Sequence, residues 1–136
     1  VVYKASRKDN EEASAVFAEK KLSKTGFAKE KIEQIRTFIL ATKAHELAEN
    51  SSSDLAFLLD FDLAVLGASW EDYAAYAHKI RQEYRIYPDL LYRPGRRKAL
   101  GHFLERPFIF QTEVFREKFE QRARENLTQE IQMLAL

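Results

Sequence analysis

A leucine-rich segment with one carboxylate inside its apolar face constrains this chain more than any other feature. Residues 53–67 carry leucines at the spacing of a single helical face, namely Leu55, Leu58, Leu59, Leu63 and Leu66. At ~100° per residue, Asp62 falls near the middle of that stripe and Asp60 points roughly the opposite way. A carboxylate among leucines is costly to bury unless a cation, a metal ion or hydrogen-bond donors satisfy it. The segment therefore predicts a buried helix that ends at Gly67 and holds one inward carboxylate, Asp62.

Composition places the chain among soluble globular proteins and limits its partners. Its 136 residues are 46% hydrophobic and 32% charged, which suits one domain spanning residues 1–136. The net charge of +1 provides no overall field for nucleic acid or an anionic membrane, so we expect neither as a partner. The absence of cysteine excludes disulfides and thiolate metal sites and is compatible with the cytoplasm, where we expect the protein.

Helical periodicity runs through the whole chain. Only four glycines and three prolines interrupt it, and no segment alternates strictly between polar and apolar residues. No apolar run approaches the ~18 residues of a membrane span. We therefore predict an all-α domain of about six helices joined by short turns.

Local signals predict where several helices begin and end. Asp9, with Glu12 three residues later, is typical of a capping box that opens the first helix. The second helix is expected from about residue 28 to about residue 47, so that His45 continues its buried stripe. Pro94 suits the first turn of a helix, which places another helix start at residues 93–97.

Asp62 and His45 are the candidate metal ligands. Asp62 either binds a metal ion or is a buried carboxylate held by an arginine or by backbone donors. His45 could reach a metal ion or a phosphate, although a histidine on an apolar helix face also fits an ordinary core position. The spacing of the residues leaves these alternatives open.

A basic cluster is the candidate anion site. Arg93, Arg96 and Arg97 lie close together in the sequence, and Arg96 shares a helical face with Leu100 and Phe103, so it is expected to point inward. A guanidinium near a helix N-terminus can hold a phosphate bidentately. The same residues also fit a solvated surface with ordinary ion pairs. One expected partner is therefore a small phosphorylated molecule or a nucleotide.

Five segments in order resemble one predicted family of HD-superfamily phosphohydrolases. They are Lys8–Ala15, Ile39–Lys43, Leu59–Gly67, Tyr84–Phe103 and Phe119–Leu127. The resemblance covers nearly the whole chain and implies a helical, HD-domain-like bundle. Proteins of this superfamily are expected to bind one or two divalent metal ions through an early His, an adjacent His-Asp pair and a late Asp.

The resemblance places Asp62 at the position of the late Asp. It also puts Asp9, Asn10 and Glu11 near the site, while the early His and the His-Asp pair are expected before Val1. We therefore expect this chain to be a fragment of a metal-dependent phosphohydrolase of unknown substrate, inactive by itself. Asp62, with His45, is too small a ligand set to hold a divalent metal ion firmly.

Two other functions fit the same residues. A non-catalytic helical module could accept a phosphate or nucleotide through Arg96 and its neighbours, without turnover and without a metal ion. A structural or interaction protein could instead form a homodimer that buries the leucine stripe around Asp62, because large exposed apolar patches are rarely left uncovered.

Overall fold

The regular structure of the chain is helical. The computed structural model describes residues 2–4, 7–47 and 51–135, and no strand occurs in these ranges. The all-α prediction is confirmed, while the HD-domain-like arrangement stays a prediction. Across the described ranges, no helix is both long enough and apolar enough to cross a membrane.

Contacts along the backbone divide the chain into two compact units, residues 1–59 and 60–136. The first unit contains α1 (Asn10–Leu22), α2 (Lys29–Ala41) and the start of α3 (Ser53–Leu63). The second contains the end of α3, followed by a 3-10 turn (Ala64–Gly67), α4 (Trp70–Glu83), α5 (Asp89–Glu105), α6 (Glu113–Phe115), a π-helical segment (Arg116–Glu120) and α7 (Gln121–Ala135). The last three elements follow one another without a break, so the described residues form six helices. The assignment of a single domain stays a prediction.

In the first unit, α1 packs against α2, and the polar segment before α1 is tied to the helix. The Asn10 Oδ1 accepts a hydrogen bond from the N–H of Lys4 (2.9 Å), and its Nδ2 donates to the carbonyl of the same residue (2.9 Å). Ser14 binds the N–H and carbonyl of Val2 in the same way, at 3.0 and 3.1 Å. Two side chains of α1 thereby satisfy backbone groups that have no partner in regular structure.

Helix α1 begins where predicted, but the predicted capping box is wrong. Asp9 is the residue before the helix, yet its carboxylate makes no capping bond and pairs instead with Arg7 at 2.8 and 2.5 Å. Glu12 pairs with Lys43 at 2.5 Å. Arg7 and Lys43 thus compete with the backbone N–H groups for the two carboxylates. The ion pairs are favoured because both partners carry charge.

Two further boundaries differ from the predictions. Helix α2 ends at Ala41, and His45 lies in the following turn with a φ of 51° and its N–H bonded to the carbonyl of Ala41 (3.1 Å). This left-handed residue closes the turn and takes His45 off the predicted stripe. Helix α5 begins at Asp89, so Pro94 lies inside it and offers no N–H to the carbonyl of Leu90. Leu90 is 85% exposed, so water can reach that part of the helix.

The second unit has the larger apolar core. Nine buried side chains form one cluster: Leu63, Leu66, Tyr73, Leu100, Ile109, Phe110, Phe115, Ala123 and Leu127. The rings of Phe110, Phe115 and Phe119 pack together with centroids 5.3, 5.9 and 6.0 Å apart. The buried Asn126 donates to the carbonyls of Leu66 (2.8 Å) and Ala68 (3.0 Å), which satisfies the end of the 3-10 turn.

Gly67 lies at a close approach between the 3-10 turn and the π-helical segment. A Cβ atom at this position would lie 2.6 Å from the Cβ of Phe119 and 2.8 Å from its carbonyl oxygen. These distances are shorter than van der Waals contact, so a side chain fits only if Phe119 moves. The helix was predicted to end at Gly67, but α3 ends at Leu63 and Gly67 is the last residue of the 3-10 turn. Gly67 is not a left-handed cap, since the described residues with positive φ are Gly26 and His45.

We expect Gly67→Ala to lower the free energy of unfolding by about 1–3 kcal/mol, because the added methyl group overlaps Phe119. Gly101→Ala is the matched control: a Cβ there meets nothing within 4 Å, and alanine favours the helix by up to about 1 kcal/mol. Urea denaturation followed by circular dichroism measures both. Equal stability of the two variants would contradict the close-packing argument.

Candidate functional site

The structure reverses the predicted orientations of the two aspartates in α3. Asp60 is fully buried (0% exposed), whereas Asp62 lies on the exposed side of the helix. The prediction that Asp62 points inward is therefore wrong. The buried face of α3 is centred on Leu59 and Leu63, and Asp60 lies next to it. The opposite edge of the predicted stripe, which carries Leu58, is exposed. The role of Asp62 as a metal ligand stays a prediction.

Asp60 is satisfied by three donors from one segment of the chain. Its Oδ1 accepts from the N–H of Gln111 (2.6 Å), and its Oδ2 accepts from the N–H (2.8 Å) and the hydroxyl (2.6 Å) of Thr112. Three donors on one carboxylate offset the loss of its hydration. The Thr112 hydroxyl also accepts from the N–H of Phe115 (3.4 Å), so Asp60 positions the residue that caps α6.

The segment between α5 and α6, residues 106–112, is also held by the last helix. Glu120 accepts hydrogen bonds from the N–H groups of Ile109 (2.9 and 3.0 Å) and Phe110 (3.2 Å) and from Nε of Arg124 (2.8 Å). Arg124 donates in turn to three carbonyls at distances of 2.8–3.1 Å, those of Leu104, Arg106 and Pro107. We call residues 106–112 the anchored segment, since carboxylates bind its N–H groups and an arginine binds its carbonyls.

A second buried network joins α4, α5 and α7 through Glu130. The Nε of Arg96 donates to Oε1 of Glu130 (2.8 Å) and its Nη2 to Oε2 (3.2 Å), and the side chains of the two residues are 13% and 9% exposed. The hydroxyl of Tyr73 donates to the same Oε2. Arg96 thus points inward, as predicted, but it meets a carboxylate of its own chain.

The protonation states of Tyr73 and Arg96 are fixed at neutral pH. Burial and then the hydrogen bond to Glu130 raise the pKa of Tyr73 well above its ordinary value, so the phenol stays protonated. Burial alone would lower the pKa of Arg96, but the hydrogen bonds and the charge of Glu130 raise it above its ordinary value. The network therefore consists of a neutral Tyr73 hydroxyl that donates to Glu130 and an ion pair between Glu130 and Arg96.

Sequence reasoning did not identify Glu130 or its bond with the core residue Tyr73, although a signal for Glu130 exists. Glu130 follows Ala123 by seven residues and Leu127 by three, which places it on the apolar face of α7. A carboxylate on an apolar stripe is the same signal that singled out Asp62. Its partners lie 34 and 57 residues away along the chain, and no local pattern identifies them.

Among the residues that the structure describes, the three arginines of the predicted anion site line different cavities. Arg96 lines a cavity between α4 and α5, in addition to its bond with Glu130. Arg93 and Arg97 line another cavity of ≈ 360 Å³ beside the end of α7. Arg93 also lies 4.0 Å from the carboxylate of Asp89. A phosphate in that second cavity could contact Arg93 and Arg97, but not Arg96.

The other predicted site residues, His45, Asp9, Asn10 and Glu11, lie in the first unit. Hydrogen bonding to Arg7 lowers the pKa of Asp9, and Asn10 holds the backbone of Lys4. Asp9 and Asn10 therefore have structural roles at the start of α1. Where the structure describes the chain, it brings together no group of three or more His, Asp or Glu side chains that could hold a metal ion. The proposed roles of these residues near a metal stay predictions.

Asp60→Asn is expected to lower the free energy of unfolding by about 3 kcal/mol, because its amide NH₂ would face N–H donors and the charged acceptor is lost. Asp62→Asn, two residues away on the exposed side, should change stability by no more than about 0.5 kcal/mol. Chemical denaturation of the two variants compares them directly. A larger loss in Asp62→Asn would refute the assignment of the buried carboxylate.

Glu130→Leu should cost about 3–5 kcal/mol, since it leaves the Arg96 charge buried without a partner. Adding Arg96→Met should restore most of that stability, because both charges are then removed. The control is Glu33→Ala, which breaks an exposed pair with Arg36 and should cost less than about 1 kcal/mol. The double-mutant cycle is measured by denaturation, and additive effects of the two core changes would argue against a coupled pair.

Comparisons with known proteins leave the family of this chain undetermined. No family model, no curated protein and no solved structure matches it. The resemblance to HD-superfamily phosphohydrolases therefore continues to depend on the five ordered segments of the sequence.

Proposed function

We propose that this chain belongs to a metal-dependent phosphohydrolase of the HD type, in which Asp62 is a metal ligand. Five segments in the family's order and an all-helical fold support the proposal. The observation that carries it is the different use of the two carboxylates in the Leu59–Gly67 segment. Asp60 is bound to the anchored segment through both oxygens, while Asp62, on the exposed side of the same helix, is accessible from solvent.

The chemistry of such a site assigns Asp62 a limited role. A divalent metal ion, when bound, polarises a phosphate and lowers the pKa of the attacking water. Asp62 would supply one anionic oxygen to it. One ligand does not hold such an ion firmly, so Asp62 alone should bind a metal ion weakly, and the chain should hydrolyse phosphate esters or nucleotides poorly.

A non-catalytic helical module that binds phosphate is the second candidate. It is favoured by the pairing of Arg93 and Arg97 along one cavity, which needs no metal ion. Arg96, by contrast, already has a carboxylate partner. In this alternative the phosphate is bound without turnover, and Asp62 takes no part.

The first experiment is a titration with Mn²⁺ followed by ¹H–¹⁵N NMR, because a paramagnetic ion locates even a weak site. We expect the amide signals of residues 61–64 to broaden first. Asp62→Asn should abolish that broadening, and Asp54→Asn, which changes another exposed aspartate of α3, should preserve it. Unchanged broadening in Asp62→Asn would rule out the metal-ligand role.

A titration of the same samples with inorganic phosphate separates the two candidates. Shifts at Arg93 and Arg97 without Mn²⁺, together with no broadening at Asp62, would favour the non-catalytic module. Phosphate shifts that require Mn²⁺ and disappear in Asp62→Asn would favour the phosphohydrolase, because the metal ion must then lie between the protein and the anion.

A further inference from the structure

We propose that the cavity between α4 and α5 is a binding site for a small, uncharged, planar aromatic molecule. This cavity, which we call the tyrosine cavity, has a volume of ≈ 310 Å³. Its walls are three tyrosines and three aliphatic side chains: Tyr84, Tyr87, Tyr92, Ile80, Leu91 and Ala99. The volume falls at the lower end of the range of about 300–1,000 Å³ that is usual for ligand pockets. The proposal does not depend on whether the protein hydrolyses phosphate esters.

The aromatic walls are mutually arranged to accept a flat ring. The ring of Tyr84 lies 6.2 Å from that of Tyr87, with an angle of 30° between the planes, and 6.3 Å from that of Tyr92, with an angle of 42°. Offset stacking and edge contacts with a further ring are favourable at such separations. Leu91 is 63% exposed and Tyr87 37%, so the cavity is open to solvent on that side.

Arg81 holds these walls in place. Its guanidinium donates to the carbonyls of Tyr84 (3.1 Å) and Tyr87 (3.2 Å) and to the carboxylate of Asp89 (3.1 and 2.7 Å). It also lies over the ring of Tyr92, 4.6 Å from the centroid. One side chain thus connects the end of α4, the following turn and the start of α5. A site whose walls are already ordered loses less entropy when a ligand binds.

The charges around the cavity favour a neutral ligand. Arg96 forms part of the wall, but its charge is balanced by Glu130. The charge of Arg81 is balanced by Asp89. An anion would have to compete with a buried carboxylate for Arg96, which is costly because the displaced carboxylate remains desolvated.

A tyrosine of the cavity wall provides a polar group for the ligand. Tyr92 lines the cavity, and 9% of the residue is exposed. Burial raises the pKa of Tyr92 above its ordinary value, so the hydroxyl remains a donor at neutral pH. A phenol hydroxyl can both donate and accept a hydrogen bond. A hydroxyl or ring nitrogen on an aromatic ligand would be a suitable partner for it.

Gly95 keeps the cavity open. It lies in the interior of α5, where glycine is less favourable than alanine, and a Cβ at this position would meet nothing within 4 Å. No packing contact therefore explains the glycine. Gly95 does line the tyrosine cavity, so a side chain there would reduce the space available to a ligand.

The test uses naphthol as the neutral planar probe, with naphthoate as its anionic counterpart and decahydronaphthol as its non-planar counterpart. We expect naphthol to shift the amide signals of Tyr84, Tyr87 and Tyr92 in ¹H–¹⁵N NMR titrations. Naphthoate and decahydronaphthol should bind at least about tenfold more weakly. Equal or tighter binding of naphthoate would overturn the assignment of a neutral ligand.

Two glycine variants test the location. Gly95→Leu should weaken naphthol binding at least about tenfold, whereas Gly101→Leu, at an equally open position of α5 outside the cavity, should leave it unchanged. If Gly95→Leu does not give the helical circular dichroism spectrum, Gly95→Ala and Gly101→Ala replace the pair. Unweakened binding in the Gly95 variant, or naphthol shifts only at residues outside 80–99, would refute the proposal. Self-association of the ligand-free protein would also refute the proposal if the Gly95 variant abolished it. The cavity would then bind a second copy of the chain and not a small molecule.

Discussion

Every desolvated carboxylate in the second unit must receive hydrogen bonds, and the packing of that unit depends on how this requirement is met. Asp60 joins α3 to the anchored segment, Glu120 joins the same segment to the last helix, and Glu130 joins α7 to α4 and α5. Apolar contacts supply most of the driving force but little direction. The carboxylates supply the direction, because each bond requires a particular donor at a particular distance.

Features that depend on neighbouring residues are the part of the fold that the sequence predicts. Helical periodicity predicts the all-α fold, and the local signal at Asp9 correctly places the start of α1. The cap of α4 is equally local: the hydroxyl of Ser69 accepts from the N–H of Asp72 (3.2 Å). Such features depend on residues within one turn of each other. The boundary at Ala41 was missed because a left-handed residue other than glycine, His45, ends that turn.

The orientation of the two aspartates illustrates what the sequence does not contain. Helical phase assumes a regular helix, but α3 tightens into a 3-10 turn after Leu63. Side chains three residues apart eclipse in such a turn, so Leu66 lies over Leu63 and not towards Asp62. Asp60 and Asp62 then lie at similar angles on either side of the buried stripe. The choice between them is made by Gln111 and Thr112, about fifty residues further along the chain. The need for donors was predictable, but the residue that has this need was not.

The π-helical segment fixes the position of the last helix along its neighbour. Its wide turn carries Phe119 against Gly67, so the helix cannot slide along its neighbour at that point. Removing one residue from the regular α-helical turn that follows, residues 121–125, would rotate everything after it by about 100°. Glu130 would then turn away from Arg96, and Asn126 away from the carbonyls it binds. In evolutionary terms, this short stretch should accept substitutions more readily than insertions or deletions.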